Sequence, residues 1–194
     1  MHSNTSTKKQ NQKGFTLVEI AIVLVIIGLL LGGVLKGQEL IENAKLRNTT
    51  SNLQNFQAAY YSYQDRIGTV PGLNGGTTGQ IDGSLANTDS GSFFDDIFTQ
   101  GFTKTNDPQT DFGTYSAGYE TGITGRTDSG PTAGNFVCID GITDDGIPQG
   151  IDTKLDDGNG QTGIVLYLDN SGTNPAASAY ANDGTNSYDL CLDL

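Results

Sequence analysis

Carboxylate and amide side chains cluster in one short stretch of the C-terminal half, at Asp152, Asp156, Asp157 and Asn159. Calcium binds six to eight oxygens from carboxylates, side-chain amides and backbone carbonyls, and nearby glycines permit a tight loop. The stretch lacks the terminal glutamate of the 12-residue EF-hand loop, so it does not match that motif. These four residues are a candidate calcium site, and a solvated turn held by Asx hydrogen bonds is the alternative.

The two cysteines, Cys138 and Cys191, each lie in a short segment with the pattern of a strand. They form no CxxC pair, so a metal or redox motif is unsupported. A structural disulfide is the expected use, and it would place the protein in an oxidising compartment. Two free buried thiols are the alternative.

A single carboxylate, Glu19, is the fifth residue of an otherwise apolar segment, residues 15–35. As a helix this segment would be about 32 Å long, which matches a hydrocarbon core of about 30 Å. A carboxylate at membrane depth costs several kcal/mol, so Glu19 needs a partner.

Three kinds of N-terminal signal compete for this segment. A cleaved signal peptide has an apolar core of about 7–15 residues followed by a small-residue cleavage site, but this core is longer and is followed by Lys36 and Gly37. A plain signal anchor fits the length but gives Glu19 no role. The lysines that precede the segment orient its N-terminus towards the cytoplasm.

Residues 13–19, with the sequence KGFTLVE, suggest the third kind of signal. Followed by a charge-free run, they closely resemble the class III signal of type IV prepilins and type II secretion pseudopilins. The resemblance implies that a prepilin peptidase cuts after Gly14 and methylates the new amine of Phe15. It also implies that Glu19 pairs with the Phe15 amine of a neighbouring subunit during assembly. Each charge alone would be costly in an apolar bundle, so the pairing would enforce the register.

The same resemblance implies the partners and the location. The partners would be the prepilin peptidase/N-methyltransferase, other pilin subunits in a helical polymer, the inner-membrane assembly platform and, before assembly, membrane lipid. The protein would cross the bacterial inner membrane once, with its N-terminus cytoplasmic, and then enter a periplasmic or extracellular filament. Some pseudopilins hold calcium in a loop of the head. Many pilins close their C-terminal region with a disulfide, which Cys138 and Cys191 would provide.

The helical pattern continues beyond the apolar segment. Apolar residues recur at spacings of three, four and seven that trace one stripe on a helix, at Leu46, Leu53, Phe56, Tyr60, Tyr63 and Ile67. No proline occurs between Phe15 and Val70, and then Gly68 and Pro71 end the pattern. The sequence therefore predicts one helix from residue 15 to about residue 67.

The remaining chain predicts a small β-rich head. Candidate strands, separated by turn residues, cover residues 112–119, 135–140, 163–168 and 188–192. Residues 147–155 could form a short helix capped by Asp156, Asp157 and Gly158. The fold class is therefore α+β, with a long helix packed on a small antiparallel sheet.

Four segments follow from these predictions. Residues 1–14 form a cleaved leader, and residues 15–36 form the transmembrane and filament-core half of the helix. Residues 37–68 form its amphipathic half, and residues 69–194 form a head with a disulfide-closed C-terminal region.

Charge and composition exclude several classes of function. Residues 67–194 hold 18 acidic and 3 basic residues, so we expect no nucleic acid on the acidic head. The one histidine, His2, lies in the leader, so the trimmed chain would lack imidazole for a serine triad or a zinc site. We therefore expect no enzyme.

Two functions remain. The first is a structural subunit of a type IV pilus or a pilus-like secretion filament, which requires no cofactor, although calcium could stabilise its head. The alternative is a membrane-anchored minor pilin-like adhesin, or a DNA- or ligand-binding protein, that does not form the bulk filament. Glu19 favours the first, because a simple anchor does not need it.

Overall fold

The computed structural model describes residues 14, 16–75, 79–84, 86–121, 126–142, 146–169 and 188–194. The elements in chain order are α1 (Leu17–Ile67), α2 (Phe93–Thr99), β1 (Thr114–Thr121), β2 (Ala133–Ile142), α3 (Gly146–Leu155), β3 (Val165–Asp169) and β4 (Tyr188–Asp193). One long helix followed by a four-stranded antiparallel sheet confirms the predicted α+β class. The chain forms two compact units, Met1–Asn43 and Ala44–Leu194.

Helix α1 has 51 residues and ends where the sequence predicted. Its last hydrogen bond runs from the backbone N–H of Gly68 to the carbonyl of Gln64, at 2.8 Å. Gly68 has a φ of 83°, a left-handed conformation that glycine adopts without steric cost. Pro71, three residues later, cannot continue a helix.

In the second unit, α1 contributes one buried stripe to the core. The predicted stripe residues that are buried are Leu46, Leu53, Phe56, Tyr60 and Tyr63. Ile67 was also predicted to lie on this stripe, but it is 41% exposed, because it is the last helical residue and lies beyond the buried part. The ring of Phe56 meets those of Phe94 and Tyr115 edge-to-face, with centroids 5.2 and 5.1 Å away. Such pairs contribute about 0.5–1.5 kcal/mol beyond their buried area.

The four strands form one antiparallel sheet in the order β1-β2-β4-β3. All four predicted strands are present, with ends that differ by a few residues. The C-terminal strand β4 is therefore internal, and β3 joins the sheet only through β4. The sheet consists of two hairpin-like halves, β1–β2 and β3–β4, which meet at the β2–β4 pair.

Alternation along the strands gives the sheet two apolar faces. The face that shares a core with α1 carries Val137, Ile139, Val165, Tyr167, Leu190 and Leu192. The opposite face carries a second buried cluster of Phe136, Cys138, Leu166, Leu168 and Cys191. Both cysteines therefore point away from α1.

The sequence did not predict α2. Its N-cap is Ser92, whose hydroxyl oxygen accepts a hydrogen bond from the backbone N–H of Asp95, and its Phe93, Phe94 and Ile97 are buried. Helix α3 confirms the short helix predicted over residues 147–155, and it leads directly into residues 156–164, here called the acidic loop.

Candidate functional site

The candidate calcium ligands lie at the end of α3 and in the loop that follows it. Asp152 is fully buried on α3. One carboxylate oxygen from each of Asp152, Asp156 and Asp157 lies within 4.8 Å of the other two, a separation that a single calcium ion can span with ligand bonds of 2.3–2.6 Å. The fourth predicted ligand, Asn159, accepts a hydrogen bond through its side-chain oxygen from the N–H of Gln161, at 3.2 Å.

The acidic loop is also closed by its own hydrogen bonds. Asp156 Oδ2 accepts from the backbone N–H of Ile164. Asp157 Oδ1 accepts from the N–H of Asn159 at 2.8 Å, and its Oδ2 accepts from the hydroxyl of Thr162. The predicted Asx-bonded turn therefore exists together with the carboxylate cluster. Three carboxylate groups converge there, which is the kind of oxygen donor that calcium prefers.

An ion pair with a buried arginine and a partly exposed carboxylate, which the sequence did not predict, holds the end of this loop at Gly163. Arg126 is 5% exposed in its side chain and makes a two-pronged contact with Asp128, at 2.8 and 2.7 Å. Arg126 also donates to the carbonyl of Gly163, and Asp128 accepts from the N–H of the same glycine, both at 2.9 Å. These hydrogen bonds from Arg126 and Gly163 hold the pKa of Asp128 well below its usual range. The ion pair therefore stabilises the folded head at neutral pH, and this contribution is lost as the pH falls through the depressed pKa of Asp128.

The structure contains the disulfide expected from Cys138 and Cys191. The two residues are directly opposite each other on β2 and β4. Both are buried, at 7% and 2% exposure, in the cluster on the sheet face away from α1. The bond therefore joins the two halves of the sheet.

Gly14 is exposed, and a Cβ added to it would meet no atom within 4 Å. Its φ is not among the positive values that favour glycine. Neither packing nor backbone conformation therefore requires glycine at this position. Phe15 and residues 1–13 lie outside the described residues, so the predicted methylation site and the leader have no structural account here.

Thr16 and Glu19 form a capping box at the start of α1. The N–H and the hydroxyl of Thr16 both donate to Glu19 Oε2, at 2.9 and 2.8 Å, and the N–H of Glu19 donates to the Thr16 hydroxyl oxygen at 3.2 Å. The pattern Thr-x-x-Glu before an apolar run is the sequence signature of this motif. The predicted role of Glu19 rested on its charge alone and did not include this capping role.

The first part of α1 is exposed and strongly apolar. Among the described residues, α1 is the one helix long and apolar enough to cross a membrane, judged by length and composition. Its most apolar 18-residue window has a mean hydropathy of 2.8, and none of that window is buried. Leu24 and Leu30, for example, are 64% and 62% exposed. Such a surface needs lipid or other apolar helices around it.

Residues 9–35 match the family model described as the prokaryotic N-terminal methylation motif. The chain carries the type IV pilin and pseudopilin signal. No curated protein and no solved structure matches the chain.

This prepilin signal includes Gly14, Phe15 and Glu19 and runs into the apolar half of α1. It indicates a type IV pilin-like or pseudopilin precursor, which implies processing by prepilin peptidase and assembly with other pilins. Together with the exposed apolar helix, it also indicates membrane anchoring. The long helix and the small antiparallel sheet form a pilin-like architecture.

Proposed function

We propose that this protein is a structural subunit of a type IV pilus or of a pilus-like type II secretion filament. Prepilin peptidase cuts the precursor after Gly14 and methylates the amine of Phe15. The subunit waits in the inner membrane, with its head on the outer side, and then enters a periplasmic or extracellular filament through α1. Glu19 sets the register by pairing with the Phe15 amine of the adjoining subunit.

One observation carries the proposal: the prepilin signal at residues 9–35 continues without a break into α1, which starts three residues after Gly14. A cut after Gly14 would leave Phe15 and Thr16 before the first residue of α1. The exposed apolar part of α1 would then pass from lipid to a bundle of neighbouring helices. A structural subunit needs no catalytic group, and the residues that carry the signal all act in processing and packing.

The decisive experiment is an intact-mass measurement of protein sheared from the cell surface. We expect a major species that begins at Phe15 and carries one additional methyl group. A protein that remained in the membrane fraction, still bearing residues 1–14, would contradict the proposal. A trimmed and methylated protein found only as a trace component would favour the minor binding protein instead of the main subunit.

Replacing Gly14 with valine should block maturation. The fold has room for the side chain, because a Cβ at Gly14 meets nothing within 4 Å, so the block would arise at the peptidase. Gly37→Val is the matched control, since Gly37 also has open space around its Cβ position. On immunoblots of whole cells we expect only precursor for Gly14→Val and normal trimming for Gly37→Val. Normal trimming of both would show that the cut lies elsewhere.

We also propose that calcium binds the carboxylate cluster of Asp152, Asp156 and Asp157 and stabilises the loop after α3. The ion would neutralise three converging negative charges that otherwise repel one another. It would act on stability only, because the loop is already closed by hydrogen bonds.

Calcium at a few millimolar should raise the melting temperature of the full chain in detergent by about 3–8 °C relative to chelator. Asp152→Asn should remove the increase, because the amide keeps an acceptor for the N–H of Gly158 but loses the charge. Asp107→Asn is the control, since it removes one exposed charge outside the loop. The same melting temperature with and without chelator would show that calcium does not stabilise this protein.

A further inference from the structure

Residues 101–111, here called the strap, run along one side of α1 in the second unit. Near one end of the strap, Arg66 on α1 donates to the carbonyl of Gln100 at 3.1 Å, and its guanidinium lies 5.7 Å from the centre of the Phe102 ring. This end is therefore fixed by a hydrogen bond and a cation–π contact.

The other end of the strap is fixed about five helical turns away. The hydroxyls of Thr49 and Thr110 are 3.5 Å apart, and Lys45 pairs with Asp111 at 3.4 Å. Residues of both α1 and the strap line a groove between these two ends.

The gap between strap and helix is a groove of about 590 Å³, a volume typical of ligand pockets. Its floor includes Phe56 and Ala59, which are each 5% exposed. The helix side adds Asn52, Asn55, Ala58 and Ser62, and the strap side adds Phe102, Thr103, Lys104, Thr105, Pro108 and Gln109. Small and amide side chains on α1 leave the helix surface open to another chain.

Three polar side chains in the groove have no partner within the described part of the chain. Asn55, Lys104 and Gln109 make no side-chain hydrogen bond or ion pair with any described residue. All three side chains are exposed, so two amides and one ammonium group are available to an occupant beside the apolar floor.

The groove differs in charge from the surface around it. Lys104 is the only charged residue among the described residues that line it. The stretch 67–194 has 18 acidic residues and 3 basic ones. Two such heads repel each other across most of their surfaces. An acid-free groove with one free cation is a place where an acidic head can approach another with attraction.

We propose that this groove binds an acidic, glycine-rich segment of the head of a second copy of this chain, with one of its carboxylates on Lys104. The inference rests on the proposed filament, in which copies meet at high local concentration. A saccharide is less favoured, because Phe56 is buried and Arg66 lies over one face of the Phe102 ring, which limits the aromatic surface for stacking.

The test uses the full chain in cells, with a photo-crosslinking amino acid at Asn55 in the groove. Position 61 on α1 carries the same probe as a control, because Tyr61 is 53% exposed, does not line the groove and lies outside the acidic, glycine-rich segments of the head. After irradiation of sheared filaments, we expect a covalent dimer from position 55 and none from position 61. Mass spectrometry should locate the second attachment point within residues 67–194.

Charge substitutions give a second measurement. Lys104→Glu should reduce the dimer yield from position 55 at least fivefold, whereas Lys104→Arg should preserve it. Arg47→Glu makes the same charge change at an exposed residue of α1 that does not line the groove, and it should have no effect. Equal yields from Lys104→Glu and from the unchanged chain would overturn the assignment of Lys104.

The proposed function and this inference fail in different ways. Trimmed, methylated filaments that give no dimer at position 55 would overturn the groove contact and leave the filament intact. An adduct with a saccharide or with a different protein would also overturn it. If the chain never left the membrane as a trimmed subunit, both the proposed filament and this contact would be overturned.

Discussion

Glu19→Gln should leave the protein inserted in the membrane and trimmed, but should reduce the filaments recovered by shearing to less than a tenth. Glutamine keeps an oxygen that can accept the capping hydrogen bonds of Thr16. It lacks the negative charge that the Phe15 amine of the neighbouring subunit requires. An ammonium group buried without its partner costs about 3–5 kcal/mol, and every subunit of a filament would bear that cost.

The capping box makes a control for this prediction necessary. Thr16→Val keeps the carboxylate of Glu19 but removes the hydroxyl that bonds to it. Loss of an N-cap destabilises a helix by about 1 kcal/mol, which the long α1 tolerates. We therefore expect Thr16→Val to yield filaments within about twofold of the unchanged chain, with the inner-membrane amount of each variant measured by immunoblot.

The two variants separate the two roles of Glu19. If Glu19→Gln assembled normally while Thr16→Val did not, Glu19 would serve only to start the helix. If both failed, loss of the cap would by itself be enough to prevent assembly, and the result would not support the pairing across subunits. Only failure of the glutamine variant with survival of the valine variant supports the pairing across subunits.

Much of the fold followed from local patterns in the sequence. The end of α1 was predictable because Gly68 and Pro71 act on their own backbone and on the residues just before them. The buried stripe from Leu46 to Tyr63 was predictable because helical spacing alone places those side chains on one face. The four strands were predictable because their apolar runs are bounded by turn residues.

Other features depend on tertiary contacts or on local motifs that hydrophobic periodicity does not show. Helix α2 has seven residues, too few for periodicity to show, and it is held by burial of Phe93, Phe94 and Ile97. The contact of Arg126 and Asp128 with Gly163 joins positions about 35 residues apart, and no spacing rule indicates such a partner. The Thr16–Glu19 cap could have been predicted from the Thr-x-x-Glu motif, but the prediction for Glu19 used only its charge.

Removing the disulfide by Cys138→Ala with Cys191→Ala should lower the free energy of unfolding by about 4 kcal/mol. The bond closes a loop with a sequence separation of 53 residues, and the chain-entropy model gives about that value for such a loop. In the full chain in detergent, this corresponds to a melting temperature lower by about 8–16 °C. Reductant should lower the melting temperature of the unchanged chain by a similar amount and should not affect the double variant.

Leu166→Ala provides the matched control, because Leu166 is fully buried in the same cluster as the cysteines but leaves the bond in place. Its cavity should cost about 2–5 kcal/mol, yet it should retain sensitivity to reductant. If reductant left the melting temperature of the unchanged chain where it was, the disulfide would not contribute to stability.

The position of the bond in the sheet predicts which part opens first without it. Strand β3 pairs only with β4, and β4 pairs with β2, where Cys138 faces Cys191. Without the covalent link, separation at the β2–β4 pair releases β3 and β4 together, while β1 and β2 keep their mutual pairing. Hydrogen exchange of the double variant should therefore show β3 and β4 losing protection in common, with β1 and β2 changing less. Equal loss across all four strands would show that the sheet opens as one unit and that the bond does not act at this junction.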